Sequence, residues 1–106
     1  MLVGRAMNPA PRPETGTLLI VQRVEKRGPI AVELTCGCVL VYQRWLRESG
    51  ALRLRVADIL LVVSADADRV SLRPSLGAEA ERATYFIHGE PTLERTCDGH
   101  GAGRTA

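Results

Sequence analysis

Aromatic residues and long apolar runs are both scarce in this sequence. Only four of its 106 residues are aromatic, namely Tyr42, Trp45, Tyr85 and Phe86. This scarcity leaves Leu, Val and Ala to fill the interior, and it argues against aromatic platforms for sugars or stacked bases. No wholly apolar run is longer than that at residues 59–63, which is far short of the ~20 residues that a membrane-spanning helix needs. The sequence therefore argues against a transmembrane protein.

Length and composition predict one small globular domain. The chain is 45% hydrophobic and 25% charged, a balance typical of folded domains of about 100–150 residues. We expect a disordered lead-in over residues 1–16, where three prolines favour extended chain. A single β-rich domain is expected over residues 17–100, followed by a flexible tail over residues 101–106.

The amino terminus lacks the apolar stretch of about 7–15 residues that a secretory signal contains. We therefore expect a cytoplasmic protein, and the cytoplasm is a reducing compartment. The three cysteines are then expected to serve as thiols, metal ligands or redox groups rather than as structural disulfides.

Short runs with the two-residue alternation of β-strands dominate the central part of the chain. Residues 17–24 and 30–35 flank a Lys-Arg-Gly-Pro turn signal and are predicted to form an antiparallel hairpin. Residues 59–63 are continuously apolar, which predicts a central strand. The sequence predicts a mostly β fold, a small antiparallel sheet of about seven short strands, with residues 75–82 as the candidate for a short helix.

Two further segments carry specific predictions. The apolar residues within 39–49 fit one helical face as well as a strand, and we favour a strand that turns at residues 48–50. In residues 52–56, apolar residues alternate with arginines. This alternation predicts a strand with Arg53 and Arg55 on the outer face of the sheet.

Two motifs suggest metal chemistry: Cys36-Gly37-Cys38 and the Cys-Asp-Gly-His-Gly sequence that starts at Cys97. Each follows a predicted strand and contains glycine, which accepts the positive φ of a tight turn. Zinc prefers four nitrogen or sulfur ligands in a tetrahedral arrangement. If the two strand ends are neighbours, Cys36, Cys38, Cys97 and His100 complete one zinc site with no thiol left over.

Other interpretations of the cysteines stay open. Buried cysteines often act only as small apolar core residues. Cys36 and Cys38 also suit a redox dithiol, because a disulfide across one intervening residue is strained and therefore oxidising. If Cys38 does not reach the ion, Cys36, Cys97 and His100 leave one coordination position for water or an outside ligand.

The two motifs resemble those of small zinc-ribbon-like proteins common in GC-rich actinobacteria and their phages. Members of that group have a strand ending in Cys-Gly-Cys, then a β segment, then a Cys-x-x-His-Gly closure. The resemblance covers the motif positions and the adjoining strands. It implies a zinc-ribbon-like β fold, zinc held by Cys36, Cys38, Cys97 and His100, and a β face that contacts nucleic acid.

Basic residues are concentrated in the first half of the chain. Residues 1–55 carry nine Lys or Arg against four Asp or Glu, whereas residues 56–106 carry five against eight. Arginine suits contacts with phosphate groups. The candidate nucleic-acid-binding residues lie near Trp45 or in the first hairpin, and they are Arg23, Arg27, Arg44, Arg47, Arg53 and Arg55. A protein partner that adds a strand to an exposed sheet edge is the alternative.

No catalytic motif stands out in the sequence. Neither His88 nor His100 has a Ser or Asp at a diagnostic spacing, and there is no phosphate loop or dinucleotide fingerprint. We therefore expect a small non-catalytic module that binds structural zinc and contacts nucleic acid or a protein. A thiol-redox protein and a metal-free interaction domain are the alternatives.

Overall fold

The computed structural model describes residues 11–50, 52–66, 68–75 and 83–97. All regular secondary structure in these residues is β, which confirms the predicted mostly β fold. In chain order the strands are β1 (Leu18–Val24), β2 (Ile30–Glu33), β3 (Val39–Tyr42), β4 (Arg44–Ser49), β5 (Ile59–Ala65), β6 (Arg69–Pro74), β7 (Thr84–His88) and β8 (Thr92–Arg95). The helix candidate at residues 75–82 lies outside the described residues, apart from Ser75.

The eight strands form one sheet in the order β4-β7-β6-β5-β1-β2-β3-β8, and every pairing is antiparallel. The predicted hairpin is confirmed, because β1 pairs with β2 across the turn at residues 25–29. The prediction of a central strand at residues 59–63 is also confirmed, since β5 lies between β1 and β6. Residues 39–49 form strands β3 and β4 rather than a helix, as favoured from the sequence.

The two ends of this sheet meet. Strands β3 and β4 occupy distant positions in the strand order, yet only Gln43 separates them in the chain. The Cα atoms of Tyr42 and Arg44 are therefore at most about 7.6 Å apart. The sheet must curl so that the end of β3 meets the start of β4. The pairing is also continuous, because Val41 is opposite Thr92 in β8 and Arg44 is opposite His88 in β7. The sheet is therefore a closed barrel in which β3–β4 and β7–β8 act as two long strands.

The interior of the barrel is filled by alternate residues from six strands. Each of β1, β2, β3, β5, β6 and β7 contributes two buried side chains at positions i and i+2. These are Leu19, Val21, Ile30, Val32, Leu40, Tyr42, Leu60, Val62, Val70, Leu72, Tyr85 and Ile87. Complete burial of one such side chain contributes about 1.5–3 kcal/mol to folding, so this core holds the barrel ends in fixed positions.

The prediction of a strand at residues 52–56 is wrong. In this segment the Leu52 carbonyl accepts hydrogen bonds from the Tyr85 hydroxyl and from the Arg47 side chain. This carbonyl therefore bonds to side chains and not to the backbone of a neighbouring strand. The segment then enters a tight turn, in which the Asp58 N–H donates to the Arg55 carbonyl at 3.0 Å. Leu54 is buried while Arg53, Arg55 and Val56 are exposed, so the alternation of apolar residues and arginines matches burial at Leu54 without membership of the sheet.

The ends of the described chain adjoin the barrel. Residues 1–10 of the predicted lead-in lie outside the described residues. Within residues 11–16, Pro13 is buried and the Gly16 N–H donates to the Val62 carbonyl at 2.8 Å. No helix in the described part of the chain is long and apolar enough to cross a membrane.

Candidate metal centre

The turn between β2 and β3 holds the first two cysteines. The Gly37 N–H donates to the Leu34 carbonyl at 2.9 Å, and the Leu34 N–H donates to the Cys38 carbonyl at 2.8 Å. Gly37 has a φ of 103°, the left-handed conformation that commonly follows a type I turn in short hairpin loops. This geometry places Cys36 at the exposed tip of the turn and Cys38 in the buried position just before β3.

The third cysteine reaches the same place from β8. Arg95 in β8 is opposite Val39 in β3, and Cys97 follows two residues later. The Cys97 N–H donates to the Cys38 Sγ at 3.2 Å. The Arg95 side chain donates from Nε to the Gly37 carbonyl at 3.4 Å, which adds a second link between β8 and the turn.

The sulfur atoms of Cys36, Cys38 and Cys97 all lie within 4.8 Å of one another. Around a tetrahedral zinc ion, Zn–S bonds of about 2.3 Å separate two sulfurs by about 3.8 Å. The three thiols are therefore close to the spacing that one ion requires. The structure brings together three of the four predicted ligands, and His100 lies outside the described residues.

Burial differs sharply among the three thiols. Cys38 is completely buried, Cys97 is half-buried and Cys36 is exposed. Burial raises the pKa of the Cys38 thiol to about 11, the Cys97 N–H acts against this increase, and the nearby Cys97 and Cys36 side chains add to it. In the metal-free protein Cys38 is thus protonated at neutral pH, and a bound metal ion must displace that proton.

A charged side chain borders the cluster. Arg95 forms an ion pair with Glu33 at 3.1 Å, in addition to its hydrogen bond with the turn. Because the Arg95 side chain is 58% exposed, the ion pair itself contributes little to stability. Together, the two contacts of Arg95 keep the end of β8 aligned with the turn that holds Cys36 and Cys38.

The predicted nucleic-acid-binding arginines are divided between several places. Arg27, Arg47 and Arg53 line a single cavity together with Lys26. Lys26 belongs to the basic hairpin turn that the sequence already associates with nucleic-acid binding, together with Arg23 and Arg27. The other three arginines do not line this cavity.

Those three arginines have other surroundings. Arg23 forms an ion pair with Glu94 at 2.9 Å, and the Arg55 Nε lies 3.9 Å from the Asp58 carboxylate. Arg44 lies on β4, opposite His88 of β7. The fold therefore divides the predicted set into three arginines that line one cavity and three that do not.

Comparison of the chain with protein-family models, with curated proteins and with solved structures found no match. The resemblance to zinc-ribbon-like proteins stays a prediction. The function must therefore be argued from the cysteine cluster and from the charged surface.

Proposed function

We propose that this protein is a small, non-catalytic interaction module that binds one structural zinc ion. The observation that carries the proposal is the convergence of the Cys36, Cys38 and Cys97 sulfurs within 4.8 Å. The ion links the β2–β3 turn to the end of β8. The partner of the module is a nucleic acid or a protein.

Zinc suits the ligands better than other common ions do. Three thiolates are soft donors, which favour zinc over magnesium or calcium. The fourth ligand in this proposal is His100, because it follows Cys97 at the spacing of many zinc sites. Four protein ligands leave no position for water, and such closed sites are structural.

The location of the cluster explains what the ion contributes. Strand β8 has four residues and pairs with β3 alone among the described strands. A metal bond from Cys97 to the turn fixes the end of this short strand. Small domains have a limited net stability, and a structural zinc ion adds to it directly.

The alternative of a redox dithiol receives less support from the geometry. A reactive cysteine needs a stabilised thiolate in an accessible and electropositive position. Cys38 is completely buried and burial raises its pKa, so it makes a poor attacking group. The same features suit a metal ligand whose proton leaves only when the ion binds.

Metal content and cobalt spectroscopy test the proposal. The full chain, purified without chelator, is expected to contain about one zinc per molecule, and cobalt exchange should produce thiolate charge-transfer bands and intense tetrahedral d–d bands. Loss of a residue that only supports a metal ligand weakens metal binding by about 10- to 100-fold. Loss of a ligand itself should weaken zinc binding by more than this in each of the variants Cys36→Ser, Cys38→Ser, Cys97→Ser and His100→Ala. Thr35→Ala, in the same turn, is the matched control and should bind zinc normally.

Two results would overturn the zinc proposal. One is a parent protein that binds neither zinc nor cobalt while its circular dichroism shows a folded β protein. The other is a Cys36–Cys38 disulfide that forms readily in air and reverses with mild reductant, which would establish the dithiol instead.

A further inference from the structure

A cationic cavity lies at the end of the barrel opposite the cysteine cluster. Strand β2 connects the two ends, because it starts after the turn at residues 25–29 and finishes before the turn that holds Cys36 and Cys38. The cavity is lined by Lys26, Arg27, Arg47 and Arg53 and has a volume of about 450 Å³, which is within the range of small-ligand sites. We call this space the cationic groove.

Among the described residues, no ion pair within 4.0 Å joins a carboxylate to Lys26, Arg27, Arg47 or Arg53 of the cationic groove. The ion pairs among these residues involve Arg23, Arg55 and Arg95, none of which lines the groove. Arg47 donates a hydrogen bond to the Leu52 carbonyl, which is a neutral acceptor. Four cations around one concave surface focus a positive potential that attracts anionic partners.

The floor of the groove is apolar and contains the single tryptophan of the chain. Val24, Leu54 and Tyr85 line it together with Trp45. The Trp45 Nε1–H donates to the Glu25 carbonyl at 2.8 Å, and the ring centroid lies 6.0 Å from that of Tyr85. These contacts fix the half-buried indole before any partner arrives, which lowers the entropic cost of binding.

We propose that the cationic groove binds single-stranded nucleic acid. Phosphates contact Lys26, Arg27, Arg47 and Arg53, while one unstacked base lies against Trp45, a single aromatic contact and not the multi-residue platform that the scarcity of aromatic residues argues against. A single strand supplies both groups at once, because its bases are exposed beside its phosphates. A duplex keeps its bases stacked inside the helix, where Trp45 does not reach them. An acidic peptide would match the cations but would place no planar ring against the apolar floor.

This inference deepens the proposed function by naming the partner and the surface. It rests on the proposed function only in treating the protein as an interaction module, since the groove and the cysteine cluster lie at opposite ends of β2. Zinc content and nucleic-acid binding can therefore be measured separately, and either can fail without the other.

Fluorescence titration of the full zinc-loaded protein with an oligothymidylate of about ten nucleotides tests the inference. Trp45 is the only tryptophan, so quenching of its emission reports occupancy of the groove directly. The logarithm of the binding constant should fall linearly with the logarithm of salt concentration, with a slope of about −0.7 for each phosphate contacted. A labelled oligonucleotide followed by anisotropy provides the same constants for variants without tryptophan.

Matched variants separate the groove from general charge. Arg53→Gln should weaken binding and reduce the salt slope by about 0.7, because one phosphate contact is lost. Arg55→Gln removes the same charge two residues away, outside the groove, and should leave the slope unchanged. Trp45→Leu should weaken binding by about 5- to 150-fold with little change in slope, which is the range expected for one base–aromatic contact. Circular dichroism and zinc content confirm that each variant is folded.

Several outcomes would overturn the inference. These are equal losses of affinity in Arg53→Gln and Arg55→Gln, binding of duplex DNA as tight as that of oligothymidylate, or displacement of the oligonucleotide by polyglutamate at equal charge concentration. Absence of any binding by a protein that contains zinc overturns the groove assignment and leaves the zinc site intact. Normal oligonucleotide binding by a folded protein without zinc supports the groove and overturns the zinc site alone.

Discussion

The backbone N–H of Cys97 donates a hydrogen bond to the Sγ of Cys38 at 3.2 Å, across 59 positions of sequence. This contact joins the end of β8 to the residue that precedes β3. It is possible because β3 and β8 are paired antiparallel neighbours. The cysteine cluster is therefore a consequence of strand pairing, and its stability is linked to that of the barrel end.

Zinc should raise the thermal unfolding midpoint of the parent protein. A free zinc concentration 100 times the dissociation constant raises the free energy of unfolding by about 2.7 kcal/mol, provided that the unfolded chain binds zinc weakly. Scanning calorimetry in zinc buffers measures the shift. Cys97→Ser is the control and should show little dependence on zinc, and a shift as large as that of the parent would contradict the site.

The stability of the metal-free protein should decrease at high pH because of Cys38. Burial raises its pKa from 9.0 to about 11, so the folded state holds the thiol proton more strongly than the unfolded state does. This contribution is complete below pH 9 and is lost as the pH rises towards 11. Urea unfolding across that range should show a smaller decrease in Cys38→Ala than in the parent. Equal pH dependence in the two proteins would contradict the assignment.

Tyr42 provides a second, separable contribution at still higher pH. Burial raises the pKa of its phenol from 10.0 to about 12, so the stability that depends on the neutral phenol is lost between those values. Tyr42→Phe should remove this component and leave the decrease due to Cys38 in place. Unfolding curves of the two single variants and the double variant separate the components, and a Tyr42→Phe protein with an unchanged profile above pH 10 would contradict this explanation.

Gly37→Ala should weaken both folding and zinc binding. A left-handed backbone costs an L-residue about 1–2 kcal/mol, and Gly37 has a φ of 103°. Gly89→Ala is the matched control, because Gly89 has a φ of 82° in the link between β7 and β8 and has open space around it. Both variants should lose stability in urea unfolding, but only Gly37→Ala should lose zinc affinity. Equal zinc affinity in the two variants would show that the turn does not position the ligands.

Tyr85→Phe should destabilise the protein by about 0.5–1.5 kcal/mol, the usual net value of one hydrogen bond. The Tyr85 hydroxyl donates to the Leu52 carbonyl and holds the segment that carries Arg53 beside the groove. Arg47 donates to the same carbonyl at 3.2 Å and keeps it partly satisfied. Arg47→Gln in the Tyr85→Phe background should therefore cost more than in the parent. Strictly additive losses in the double-mutant cycle would contradict this coupling.

Much of the β structure was predictable because it depends on local alternation. Apolar residues at i and i+2, such as Ile30 and Val32, place one face of a strand towards the core whatever its neighbours are. The same rule misled at residues 52–56, where Leu54 is buried, Val56 is exposed and the Leu52 carbonyl bonds to side chains. Periodicity indicates which side chains a strand would bury, and it does not report where the backbone hydrogen bonds go.

The sequence by itself determined most of the strand segments, the turn at Gly37 and the placement of Cys36 and Cys38 on that one turn, because each depends on neighbours in the chain. Only the tertiary structure decided that Cys97 joins them and that Arg27, Arg47 and Arg53 line a common groove. Both outcomes require residues distant in sequence to meet. They follow from the closure of the barrel, in which β3–β4 pairs with β7–β8. The sheet closes because its strands can bury their apolar faces together only when the sheet curls on itself.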